Sequence, residues 1–190
     1  KMKLFSNINQ MSTLIDEGKT ILYPTDTIWG LGCDATHEKA IDKLYKIKNR
    51  PDSKSMIILV NSDAMLQQYV EDVPPLAWDL IDLSEKPTTI IYPQAKNLPK
   101  NLIADDGSIA IRMVKSGFVY QLLNKLKKPI VSTSANISGN PAPKTFDDID
   151  EEIKNAVDII VSPDMETSQY HKSSAIIKLE MNGEIKIIRK

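Results

Sequence analysis

The 190-residue chain is 42% hydrophobic and 26% charged, with 24 Lys and Arg against 25 Asp and Glu. That balance excludes an intrinsically disordered chain and a strongly basic nucleic-acid coat. Eleven prolines and seven glycines exclude a long coiled coil, and the longest unbroken apolar run, Met56–Val60, is far short of the ~20 residues that cross a bilayer. The basic N-terminus is not followed by an apolar stretch, and the single cysteine, Cys33, cannot close an intrachain disulfide. A cytoplasmic, membrane-free, single domain over 1–190 is therefore expected.

In chain order, Met11, Leu14 and Ile15 mark a short helix that Gly18 stops. Thr20–Tyr23 is a strand running into Pro24, and Ala40, Ile41, Leu44 and Ile47 repeat at helical spacing with Thr36 as N-cap. That helix ends near Arg50, because Pro51 forces its predecessor extended. Met56–Val60 reads as a strand buried on both faces. Ser62–Val70 and Pro74–Leu83 read as helices, the second opened by prolines. Strands are expected at Thr88–Tyr92 and Ile109–Met113, then a helix on Val119, Leu122, Leu123 and Leu126 capped by Ser116. Ile130–Thr133, Val157–Val161, Ser174–Leu179 and Ile185–Ile188 complete the strands. Strands interleaved with helices give a three-layer α/β domain around a twisted sheet.

Several familiar signals carry little. Gly18-Lys19-Thr20 ends like a P-loop, but the required glycine is replaced by Thr13 and the segment enters a strand. Gly30-Leu31-Gly32-Cys33-Asp34-Ala35 fits a dinucleotide pattern, yet no clean strand enters it, and a structural turn is the preferred reading. Cys33 and His37 lack a second ligand pair, so packing and surface positions are expected of them rather than a metal site. His171 stands among polar residues and reads as solvated.

Two constellations remain. Lys48-Asn49-Arg50-Pro51 lies at a helix end that the proline forces extended. Residues two apart in such a chain point the same way, roughly 7 Å apart, so both cations reach one polyanion. A solvated cationic helix end is the alternative. The second, Ser132–Gly139, sets small hydroxyls and an amide after a strand, where open α/β sheets bind ligands. A capped polar turn is its alternative.

Tyr23–Gly32, with its Pro-Thr-Asp-Thr segment, Lys48-x-Arg50-Pro51, Ala110-Ile111-Arg112 and Ser134-Ala135-Asn136 with Ser138-Gly139 together resemble the YrdC/Sua5 family in order and spacing. The resemblance implies an open, twisted mixed β-sheet (the YrdC-like fold) of the short bacterial form. It implies a nucleotidyltransferase that makes threonylcarbamoyl-adenylate and pyrophosphate from L-threonine, bicarbonate and ATP, with Mg²⁺. The product would pass to the tRNA threonylcarbamoyl-transferase machinery for N6-threonylcarbamoylation of adenosine 37. The alternative within the resemblance is a non-catalytic RNA-binding module of the YciO type, and a hydrogenase-maturation carbamoyl-transfer domain is a weaker third. Against the RNA module stand an isoelectric point near 6.2 and only three phenylalanines. Any direct RNA contact is expected to be weak.

Residue by residue, the resemblance makes Lys48 and Arg50 the catalytic cations on the ATP phosphates. Asn136, Ser108, Lys54, Lys144 and Arg189 become further ATP contacts. Thr27, Arg112, Ser134 and Ser174 become threonine contacts, with Arg112 pairing the carboxylate. On a strand, Ser108 and Arg112 share a face about 13 Å apart. No metal ligand is assigned. Asp26 and Trp29 stand where many members have Glu and Tyr, and Leu59 replaces a histidine of some long-form members.

Overall fold

The computed structural model describes residues 2–49, 56–168 and 170–190. Their order is β1 (Leu4–Phe5), α1 (Ile8–Asp16), β2 (Ile21–Pro24), β3 (Trp29–Gly32), α2 (Glu38–Ile47), β4 (Ile57–Val60), α3 (Asp63–Gln67), α4 (Pro75–Leu83), β5 (Thr88–Tyr92), β6 (Ile109–Met113), α5 (Gly117–Leu126), β7 (Ile130–Ser134), α6 (Glu151–Ala156), β8 (Ile159–Val161), β9 (Ala175–Leu179) and β10 (Ile185–Arg189). The strands form one ten-stranded sheet in the order β1-β8-β2-β3-β7-β4-β6-β5-β9-β10. Parallel pairs (β1/β8, β8/β2, β4/β6, β5/β9) mix with antiparallel ones, so the sheet is mixed and open. Every residue of β2, β3 and β8 is buried, which requires cover on both faces of the sheet there. β10, at the edge, is exposed throughout.

The helices form where apolar spacing and caps agree. α1 buries Met11 and Ile15, its first turn is closed by Asn7 Oδ1 accepting from the Gln10 amide at 3.0 Å, and Gly18 follows in a left-handed conformation, φ +94°. It packs on α5, whose Val119, Leu122, Leu123 and Leu126 are all buried. α4 begins with Pro75 in its first turn.

Three local expectations are corrected. His37, not Thr36, caps α2: its Nδ1 accepts from the Ala40 amide, while the Thr36 hydroxyl and amide bond Asp34 Oδ1. Ser116 makes no side-chain cap on α5, because Thr167 Oγ1 accepts from the Phe118 amide at 3.0 Å. Gly30 and Gly32 form no turn. They lie in β3, antiparallel to both β2 and β7, and Cys33 is buried.

Glycine is required in β3 by close approach. A Cβ on Gly32 would overlap the Val131 carbonyl oxygen and sit 2.7 Å from a Tyr23 ring carbon, and the Tyr23 hydroxyl already donates to that carbonyl at 2.8 Å. Gly32→Ala is expected to lower unfolding stability by roughly 1–3 kcal/mol through overpacking. An unchanged denaturation midpoint would show that β3 and β7 separate freely, contrary to this packing.

Candidate active site

The cavity that faces the sheet's polar centre has a volume of about 530 Å³, ample for a small-molecule site. Its walls come from the β2–β3 connection, from β3, β4, β5, β6, β7, β9 and β10, and from the segments before β6, after β7 and before β9. Of the residues expected from sequence, Thr27, Ser108, Arg112, Ser134, Asn136, Ser174 and Arg189 line it. Lys48 lies behind the wall, Lys144 is exposed and is not itself a lining residue, although Ala142 is, and Arg50 and Lys54 fall outside the described residues.

Arg112 is the organising cation. Its side chain is only 3% exposed and its Nε and Nη2 grip the Asp26 carboxylate at 2.8–3.0 Å. Nη1 donates to Thr89 Oγ1 at 3.3 Å and Nη2 to Thr27 Oγ1 at 3.4 Å. Most of the guanidinium is thus committed within the protein, which narrows the expected pairing of Arg112 with a carboxylate. Of its five N–H groups one, on Nη1, remains for an incoming anion. Upstream, the Thr25 hydroxyl donates to the Ile28 carbonyl at 2.6 Å and accepts from the Thr27 amide at 3.0 Å. These bonds hold the Pro-Thr-Asp-Thr segment as a tight turn against β6.

Arg189 of β10 closes the opposite side. Its Nε donates to the Ser174 carbonyl at 2.8 Å and its Nη2 to Ser174 Oγ at 3.4 Å. Although the residue as a whole is exposed, partial desolvation of its side chain, and then the neighbouring charge of Arg112, push its pKa below the ordinary arginine value. With Asp26 neutralising Arg112, Arg189 leaves the cavity electropositive and complementary to an anion.

Lys48 departs from its expected setting. It is the C-cap of α2 in αR conformation, followed by Asn49 at φ 55°, so the chain is not extended at Lys48 itself, and Arg50 lies outside the described residues. Pro51 constrains only the residue before it. The ammonium is 1% exposed and donates to the carbonyls of Ser134 (2.6 Å) and Asn136 (3.0 Å), while the Lys48 carbonyl accepts from the Ser138 amide at 2.9 Å. Lys48 thereby clasps the 134–138 turn at three points. Asn136 completes the turn by donating to the Ile137 and Asn140 carbonyls, leaving its buried Oδ1 without a partner among the described residues.

Ser108 lines the cavity just ahead of β6, but its hydroxyl hydrogen goes to Asp106 Oδ1 at 2.6 Å. Only its oxygen lone pairs are left for a ligand. The Ser108 hydroxyl, the Lys178 ammonium and the Ser108 amide hold the Asp106 carboxyl far below the usual carboxylate range. Among the described residues no group of three or more His, Cys, Asp or Glu is placed to hold a metal ion, and no helix is long and apolar enough to cross a membrane. His171 is exposed.

Sequence reasoning passed over Asp26 and Thr89 as site-forming residues. Thr89 sits directly opposite Arg112 in the β5/β6 register, and nothing within its own segment announces that pairing.

A profile of the Sua5/YciO/YrdC family, described as "Telomere recombination", matches residues 13–190. The chain is 38% identical over 137 residues to a Threonylcarbamoyl-AMP synthase of Pseudoalteromonas translucida, covering 70% of this chain and 73% of that protein. A protein of the same name from Vibrio cholerae is 32% identical over 178 residues, covering 92% and 94% respectively. Among solved structures, P. abyssi Sua5 complexed with L-threonine superposes with a TM-score of 0.83 at 27% identity, over 90% of this chain. The chain spans half the length of that protein. E. coli YciO, with a TM-score of 0.82 at 24% identity over 96% of this chain and 88% of that one, shares the fold.

Proposed function

The chain belongs to the Sua5/YciO/YrdC family, and on that premise we propose that it is a threonylcarbamoyl-AMP synthase acting on L-threonine, bicarbonate and ATP. The observation that carries the reading is the electropositive cavity, where Arg112 and Arg189 face small hydroxyls at Thr27, Ser134 and Ser174. Such a set suits a short hydroxylated amino acid with a carboxylate beside a phosphate-bearing ligand.

In this reading the remaining Nη1 N–H of Arg112 takes the threonine carboxylate, and Thr27, Ser134 and Ser174 surround its side chain. Asn136, Ser108 and Arg189 meet the nucleotide, together with Arg50, Lys54 and Lys144. Lys48 acts on it by fixing the Ser134–Asn136 turn. The threonine amine and bicarbonate give a carbamate and water; a carbamate oxygen then attacks the α-phosphorus of ATP, and pyrophosphate leaves. Mg²⁺ enters with ATP as part of the substrate. No side chain becomes a covalent nucleophile, so positioning and neutralisation of charge supply the catalysis. The enclosing walls keep water from the reactive adenylate, which then feeds the tRNA threonylcarbamoyl-transferase machinery.

Purified protein should release pyrophosphate from ATP only when L-threonine and bicarbonate are both present. ATP turnover indifferent to threonine would overturn the assignment. Serine lacks one methyl and is expected to fall roughly ten- to two-hundredfold in kcat/KM. Valine keeps the shape but leaves a hydroxyl partner unmatched, and should rank lower still. Equal turnover of valine and threonine would remove Thr27, Ser134 and Ser174 from the pocket.

A further inference from the structure

Thr89 is fully buried in β5 and is absent from the cavity lining, yet it joins two residues that line it. Arg112 Nη1 lies 3.3 Å from its hydroxyl oxygen, and Ser174 Oγ lies 2.7 Å from the same atom. An arginine only donates, so Thr89 Oγ1 accepts from Arg112. The Thr89 hydroxyl hydrogen then needs an acceptor, because a buried unpaired donor is costly. Ser174 Oγ is the acceptor that the structure sets within reach. Ser174 Oγ also accepts from Arg189 Nη2 at 3.4 Å, which occupies its second lone pair. Its own hydrogen is left over, and Ser174, although only 1% exposed, borders the cavity.

We propose that Thr89 is a positioning residue for the amino-acid subsite: through the ordered chain Arg112→Thr89→Ser174←Arg189 it fixes Ser174 as a hydrogen-bond donor toward an oxygen acceptor of the substrate. The proposal rests on the synthase reading of this cavity and adds a direction to it. An ammonium or amide N–H does not fit opposite Ser174; a carboxylate or hydroxyl oxygen does. Thr89 also accepts from Arg112 Nη1, so both threonine contacts lose their setting when its hydroxyl is removed.

The experiment compares the wild type with Thr89→Val, which keeps the volume and loses the hydroxyl, and Thr89→Ser, which keeps the hydroxyl. KM for threonine, KM for ATP, kcat and melting temperature are measured by pyrophosphate release and thermal unfolding. Thr89→Val should raise the threonine KM roughly tenfold, the scale of one internal hydrogen bond and the order it imposes. Its ATP KM and kcat should stay within about twofold, and Thr89→Ser should return the threonine KM close to wild type. A Thr89→Val enzyme with an unchanged threonine KM, or with both KM values raised alike, would overturn the proposal. So would Thr89→Val and Thr89→Ser proteins that are equally unfolded, since Thr89 would then be a packing residue. A wild type that makes no pyrophosphate would instead defeat the synthase reading.

Discussion

Lys48→Met is expected to cost the enzyme both stability and activity. The ammonium is 1% exposed and bonded to the carbonyls of Ser134 and Asn136. Hydrogen bonds to a charged group are worth about 1.5–3 kcal/mol each, and removing the donor strands two acceptors. A loss of roughly 3–5 kcal/mol follows, or a fall in melting temperature on the order of 10 °C for a chain of this size. Activity should fall about a hundredfold or more, because Ser134 and Asn136 lose the clasp that sets them and small misplacements at a reacting centre are that costly. Lys48→Arg should not rescue, since a planar guanidinium cannot replace a compact ammonium in a closed slot. Sequence alone suggests the opposite, an exposed cation whose loss spares the fold. Unchanged melting with lost turnover would return Lys48 to direct contact with ligand and remove its part in holding the turn.

The contrast with Lys48 shows where the sequence speaks clearly. Apolar runs bounded by polar residues gave Thr88–Tyr92 and Ile109–Met113 to the residue, since Pro87 and Ser108 interrupt each pattern at its start. The short β3 was hidden because half of Trp-Gly-Leu-Gly is glycine, which reads as a turn unless the crowding by Val131 and Tyr23 is known. The cap of α5 was out of reach for another reason: Thr167 lies 49 residues beyond Phe118. Motif residues such as Thr27, Arg112, Ser134 and Asn136 were legible as a set, and the fold does bring them to one cavity. Their partners were not. Asp26 lies 86 residues from Arg112, and Thr89 meets Ser174 across 85. Local patterns report which face of a strand is polar, while the identity of a cross-sheet partner depends on strand order and register.

That long-range pairing carries the second large effect. Asp26→Ala leaves the Arg112 guanidinium, 3% exposed, with only the hydroxyls of Thr89 and Thr27 as partners among the described residues. Breaking a buried pair by removing one member costs about 3–5 kcal/mol, because the survivor is an uncompensated charge. Here the cost is raised by Arg189, whose charge is felt by Arg112 across the same cavity. Asp26→Glu keeps the charge and should retain most of the stability. Arg112→Met also destabilises, but it strands a carboxylate that is 19% exposed and therefore partly hydrated, so its loss should be the smaller of the two. Once the guanidinium is gone, removing Asp26 has little left to disrupt. The double variant should thus be more stable than the sum of the single losses predicts, with a coupling energy on the order of 2–3 kcal/mol from denaturant unfolding. Strict additivity would mean that Asp26 and Arg112 stabilise the fold independently, and the ion pair would then contribute nothing to holding the guanidinium in place.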